Sequence, residues 1–217
     1  MKSRRPPGAP AGGTEQQILD AAHAVFVRRG TSGARMQDIA AEAGVNQALL
    51  HYYFRSKERL SEAVFRRAAA QLLPRVIEAM ASELSIEDKV ARVVELELDH
   101  LLRVPYLPGY IISEVAHHPE RARQLIGAMT RGLTPAEIRP RVFGVLKRQI
   151  AARVAAGEMR PIAPESFMVN LVSLCIFPFA ARPMLQAMLG VDERGFARFI
   201  ARRRTDLVEF FLGALRP

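Results

Sequence analysis

The chain has 217 residues, 49% of them apolar, and carries 31 Lys and Arg against 22 Asp and Glu for a net charge of +9. Its single cysteine, Cys175, excludes an intrachain disulfide and fits a reducing, cytoplasmic setting. No run is long and apolar enough to span a bilayer, since the best, residues 168–181, is short and contains Pro178; no apolar run follows the basic N-terminus as a secretory signal requires.

Residues 1–13 combine Lys2, Arg4 and Arg5 with proline and glycine and no acid, which predicts a disordered basic arm. Two roles fit such an arm, following a DNA minor groove or simply keeping the chain soluble. Thr14 and Gln17 then match a capping box, so a first helix is expected from residue 14. Ile18, Ala21, Ala22, Val25 and Phe26 form its apolar stripe, and Gly30 ends it.

Residues 36–58 are the most informative stretch. Ile39, Ala40 and Ala43 share one face of a short helix. Gly44 stands where a helix needs a left-handed residue to turn. Val45 plugs the turn, and Asn46 caps a second short helix whose Leu50 and Phe54 face the core. This is a helix-turn-helix, a motif that lays its second helix in the DNA major groove. Gln47 is the expected base reader, because its amide can make paired bonds to adenine; Ala48 and Leu49 offer apolar contacts, and Gln37 reaches the backbone or a base. Tyr52 is expected to pack against the first helix. Ser56 caps the next helix, whose N-terminal N–H groups and the adjacent Lys57 favour a phosphate.

That next helix runs from about Lys57 towards Met80 with Leu60, Val64, Phe65, Ala68, Leu72 and Val76 as its stripe, kinked or split at Pro74. A hinge and a kink that follows the core are equally consistent with the proline. Ser85 caps a helix reaching about Val104. Pro105, Pro108 and Gly109 break the chain before a shorter helix over residues 110–116, which His117 to Glu120 terminate. A long helix over residues 140–157 ends at Gly157, an apolar stretch over residues 165–189 contains Pro178 and Pro183, and a last helix covers residues 192–215. The fold class is therefore all-α: a helix-turn-helix domain over residues 14–60 followed by a helical domain over residues 61–217.

The run Ile39-Ala40…Ala43-Gly44-Val45…Leu50-His51-Tyr52-Tyr53-Phe54…Ser56-Lys57-Glu58…Leu60, with its extension through residues 14–30, resembles the N-terminal domain of TetR-family transcriptional repressors. His51 departs from the family's usual tyrosine, and Arg35 from its frequent serine or threonine cap. The resemblance implies that His51, Tyr53 and Lys57 clamp phosphates, and that the last two helices form a four-helix bundle across a two-fold axis. It also implies that helix four carries a ligand-driven shift, and that a small molecule binds between helix four and the dimer bundle. Candidate liners are His100, Tyr106, Tyr110, His117, Met129, Phe143 and Phe177, the aromatic or polar points of apolar helices, which suit an apolar or aromatic effector. Arg194, Arg198, Arg202, Arg203 and Arg204 read as a solvated or ion-paired helix face.

Charge adds mild support for a DNA partner, since residues 1–60 hold nine Lys and Arg against five Asp and Glu. No zinc, nucleophile, P-loop or dinucleotide motif occurs, and the adjacent His117 and His118 point apart, so neither catalysis nor a metal or cofactor is expected. The expected function is a ligand-responsive, homodimeric repressor that binds a palindromic operator. An activator or dual regulator, and a helical ligand-binding protein with an idle head, are the alternatives.

Overall fold

The computed structural model describes residues 11–72, 74–129 and 134–217, so the arm expected over residues 1–13 lies mostly outside the described residues. Every regular element among them is a helix. The chain forms two compact units, one ending at Ala68 and the other running Ala69–Pro217, rather than dividing at residue 60.

The first unit, here the head, contains α1 (Ala11–Gly33), α2 (Met36–Glu42), α3 (Gln47–Tyr53) and most of α4 (Lys57–Leu72). Its core is the stripe that the sequence predicts, with Ile18, Ala22, Val25, Phe26, Ile39, Leu50, Leu60 and Phe65 all closed to solvent. Helix α1 corrects the expected start at residue 14, since it already begins at Ala11. The first N–H groups of a helix need no intrahelical partner, so extension through Gly12 and Gly13 meets little resistance. Gln17 does not reach back to Thr14; its Nε2 donates to the Ala43 carbonyl at 2.8 Å. Gly30, at φ 69° and ψ 160°, breaks α1 just before its end.

The second unit, here the body, contains α5 (Pro74–Ala81), α6 (Ile86–Arg103), α7 (Leu107–His117), α8 (Arg121–Met129) and α9 (Pro135–Ile138). A π-helical turn, Arg139–Phe143, leads into α10 (Gly144–Ala155), followed by α11 (Pro164–Ala180), α12 (Arg182–Leu189) and α13 (Glu193–Gly213). Pro74 begins α5 where a missing N–H costs nothing, so the expected long helix is split there. Pro108 likewise lies in the first turn of α7, which starts at Leu107 and not at residue 110. The π turn replaces the first residues of the expected 140–157 helix.

Helix α6 is the axis of the body, packed against α5, α10, α11 and α13. Ser85 caps it by accepting from the Asp88 N–H at 3.0 Å. Asp192 caps α13 in the same way, accepting from Gly195 at 2.7 Å. Pro178 stays inside α11, where its absent N–H would have met the Leu174 carbonyl. That carbonyl instead accepts from Arg203 Nη2 of α13 at 2.9 Å, which explains how the helix runs through a buried proline. Phe167 meets Phe211 edge to face at 5.1 Å, and Phe179 meets Phe196 at 5.8 Å, sealing α11 to α13. No single helix among the described residues is long and apolar enough to cross a membrane; α11 and α12 pass such a test only as a pair bent by 72°.

Candidate nucleic-acid interface

The turn between α2 and α3 is built from two backbone bonds. The Gly44 N–H donates to the Ala41 carbonyl at 3.1 Å, and the Val45 N–H to the Ala40 carbonyl at 3.0 Å. Gly44 holds φ 63°, a left-handed conformation that side chains resist, so this is a Schellman stop with glycine where it is needed. Asn46 Oδ1 accepts from the Leu49 N–H at 2.7 Å and caps α3. The Gln17 bond to Ala43 ties the same turn to α1. Helix α3 is thus fixed at its entry and held inward by Leu50 and Phe54, at 0% and 7% exposure.

What α3 turns outward follows from that phase. Gln47, Ala48, Leu49 and His51 are exposed, as are Asn46 beside them and Gln37 in the first turn of α2. Tyr53 is half-buried. Tyr52 corrects the sequence reading: it does not pack against α1 but is 79% exposed, edge-on to Tyr53 with ring centroids 5.4 Å apart. The signal was present in the spacing, because a residue midway between inward Leu50 and Phe54 lies on the opposite face.

Lys57 is more engaged than expected. Its ammonium donates to the Ser32 carbonyl at 3.2 Å and the Ala34 carbonyl at 3.3 Å, fixing the loop that precedes α2. Ser56 Oγ accepts from the Arg59 N–H at 3.3 Å and caps α4 as predicted. Arg28 pairs with Glu42 at 2.6 Å, Arg29 with Asp38, and Arg67 with Asp20 at 2.8 Å. The bonded Arg28 guanidinium holds the Glu42 carboxyl below its ordinary range. These pairs neutralise three acids and leave Arg35 and Arg55 exposed at the entries to α2 and α4. Sequence reasoning treated Arg35 only as a departure from the usual cap and passed over Arg55.

The expected ligand liners are not brought together in the same way. Tyr110 is buried, His100 and Phe143 are half-buried, and His117 is exposed with Nδ1 2.8 Å from the Ser113 carbonyl. Phe177 is 55% exposed on α11. Tyr106 lies 5.1 Å from the Arg182 guanidinium, which also stacks on Phe196 at 4.8 Å and pairs with Glu193. The Met129 side chain lies outside the described residues. Two body cavities, of about 340 and 280 Å³, are lined by none of the seven; the larger lies against Asn170, Leu174 and Phe210, the smaller against Glu87, Arg153 and Met159. Of the five arginines of α13, Arg204 pairs with Asp99 and Arg203 with the Leu174 carbonyl, while Arg194, Arg198 and Arg202 face solvent. An apolar surface is exposed as well, made of Val169 and Phe177 on α11, Met184, Met188 and Leu189 on α12, and Phe210 on α13.

Residues 18–64 match the family model of bacterial regulatory proteins of the tetR family. Over 180 residues the chain is 28% identical to the HTH-type transcriptional repressor NicS of Pseudomonas putida, covering 82% of each. Over 152 residues it is 30% identical to the HTH-type nicotine-responsive transcriptional repressor HdnoR of Paenarthrobacter nicotinovorans, covering 65% of this chain and 75% of that one. Its fold is similar to that of the transcriptional regulator FadR from Bacillus subtilis in complex with stearoyl-CoA. That match has a TM-score of 0.56 and 18% identity, and covers 93% of this chain and 99% of the other.

Proposed function

The chain belongs to the TetR family of bacterial regulatory proteins, and from that premise we propose that it is a ligand-responsive repressor that binds a palindromic operator as a homodimer. Membership makes it a DNA-binding transcriptional regulator and not an enzyme. The observation that carries the operator reading is the outward face of α3, a short helix fixed at both ends that exposes Gln47, Ala48, His51 and Tyr52.

In this reading Gln47 reads bases from the major groove, with Ala48 and Leu49 as apolar neighbours and Gln37 and Asn46 at the edge. His51, Tyr53 and Tyr52 hold phosphates beside them, and Arg35 and Arg55 supply unspent positive charge. Lys57 acts first by fixing the loop before α2; two of its three N–H groups are taken by carbonyls and one is left for a phosphate. A two-fold dimer would present two such helices about 34–36 Å apart, one DNA turn, which is why the operator should be palindromic.

The exposed apolar surface on α11, α12 and α13 supports dimerisation through the last helices, since side chains of this size gain by being covered. A small effector releases the DNA, by binding the released state more tightly than the DNA-bound one; equal affinity would shift nothing. The names of relatives support a small-molecule effector, one being nicotine-responsive and one solved with stearoyl-CoA. The full body sequence leaves the effector apolar or aromatic in its bulk.

Selection of the full chain on random duplexes at two salt concentrations tests the proposal. Enrichment of a palindrome by the wild-type chain, with Gln47→Ala weakening binding about tenfold or more and relaxing one position per half-site, is the expected result. Sequence-blind binding that vanishes as salt rises would overturn it.

A further inference from the structure

Glu97 occupies a place in the body where the fold offers it nothing. It lies in the middle of the buried face of α6, among Val93, Val94, Leu98 and Leu101, and is 2% exposed. Its Oε2 is sealed from solvent and meets no hydrogen-bond donor, and no ion pair reaches the side chain among the described residues. Its charge is felt by the Cys175 thiol, which places it against α11. No arginine of α13 pairs with Glu97: Arg203 Nη2 is taken by the Leu174 carbonyl although its Nε is itself buried without a partner, Arg204 pairs with Asp99, and Arg194, Arg198 and Arg202 face solvent. Three residues further along α6, on the same side of the helix, His100 holds a buried Nε2 that also lacks a partner.

A buried carboxyl without a donor is costly, and a methionine of similar size would remove that cost. The residue therefore contributes nothing to packing that a neutral one would not. Its chemistry is that of an acceptor waiting for a cation or donor that the chain does not supply. Beside it the imidazole of His100, whose pKa burial and then Arg103 and Arg75 lower, adds a second buried polar atom without a partner. Val93, Val94, Leu98 and Leu101 along the same face of α6 are apolar and offer a hydrated inorganic ion no ligands. No group of three or more His, Cys, Asp or Glu that could hold a metal occurs among the described residues.

We propose that Glu97, with His100 beside it, is the recognition point for the effector, and that the effector is a compact organic base whose protonated nitrogen pairs with the Glu97 carboxylate. The assignment rests on the ligand-responsive reading given above and names the chemical class that this reading leaves open. Binding of the cation supplies the hydrogen bond and the countercharge that Glu97 lacks among its own neighbours, while the apolar remainder of the molecule packs against the α6–α11 side chains.

The test uses the full chain in thermal melts at pH 7 with a panel of monocyclic tertiary amines and the carbon isostere of each, such as N,N-dimethylbenzylamine against isobutylbenzene. Amines should raise the melting temperature of the wild-type chain where their isosteres do not, and Glu97→Gln should weaken amine affinity at least tenfold by calorimetry. Glu97→Met, which keeps the volume, should behave like Glu97→Gln and guards against a defect peculiar to one variant. No amine shift in the wild-type chain, equal shifts by amines and isosteres, or an amine shift that survives both substitutions would each overturn the assignment. A non-basic compound that releases operator DNA equally from wild type and Glu97→Gln would also remove Glu97 from recognition while leaving the ligand-responsive reading standing. Compounds that bind the body and never change operator binding would instead defeat that reading itself.

Discussion

The head and the body spend their polar groups differently. In the head, Asp20, Asp38 and Glu42 are each paired with an arginine, and Lys57 and Gln17 tie loop carbonyls to neighbouring helices. Its outward helix face is polar and aromatic. In the body, Glu97 and His100 keep buried polar atoms without partners, while Val169, Phe177, Met184, Met188 and Phe210 lie open to solvent. Arg67 Nη1 is buried without a partner in the head as well, so the two units differ most at their surfaces, paired and polar in the head, with large apolar side chains open to solvent in the body.

The largest effects should be the same in both regions, because each core closes a large aromatic ring off from solvent. Phe26→Ala in the head and Phe167→Ala in the body should each cost about 3–5 kcal/mol in denaturant unfolding. A loss below about 1 kcal/mol in either would mean that core is not packed as described.

The contrast sharpens at Glu97. Burial pushes its carboxyl up to about 8 from an ordinary 4.5, with Cys175 facing it from α11, Arg203 near that thiol from α13, and His100 on its own helix. A pKa raised in the folded state means that the folded chain holds the proton more tightly. The residue's contribution is most favourable below about pH 4.5 and is lost as pH rises towards 8. Glu97→Gln should therefore stabilise the protein increasingly across that window, on the order of 3 kcal/mol at pH 7. An offset in melting temperature that stays constant between pH 5 and pH 8 would reject this.

Smaller effects belong to the head's turn. Gly44→Ala forces a side chain into a left-handed conformation and should cost about 1–2 kcal/mol, and Asn46→Ala about 1 kcal/mol through the lost cap. Chemical melts of the two variants check both values, and a neutral Gly44→Ala would show that the turn tolerates another geometry. The smallest effect on stability is expected at the exposed ring, where Tyr52→Ala should stay within about 0.5 kcal/mol while weakening operator binding. A loss above 1 kcal/mol would return Tyr52 to a packing role.

What could be read in the sequence were the features decided locally. Gly44, Asn46, Ser85, Ser56 and Asp192 each act through backbone groups a few residues away, so their types and spacings sufficed. The TetR relationship and the all-helical class rest on the same local signals. Thr14 misled because the matching Gln17 found a better acceptor 26 residues away, at a carbonyl that the turn leaves open. Tyr52 misled because residue type outweighed helical phase. Pro178 lay inside the expected apolar stretch, and only the distant Arg203 reveals how a helix runs through it. In the body, burial is settled by which helices meet, yet the phase of Glu97, four after Val93 and four before Leu101, already set it on the apolar stripe of α6, a signal the sequence reading passed over.

Cys175 lends the protein to a kind of experiment its composition makes convenient. Fully buried, with a thiol pushed up to about 12 by burial and by Glu97, it should be inert to thiol reagents in the native protein. With no other cysteine in the chain, a cysteine placed at exposed Arg194 could be labelled alone and used to test the proposed dimer by the distance between two labels. Left in place, Cys175 becomes a built-in clock: its rate of modification counts how often the body opens, and an effector that closes the α6–α11 interior would slow that clock.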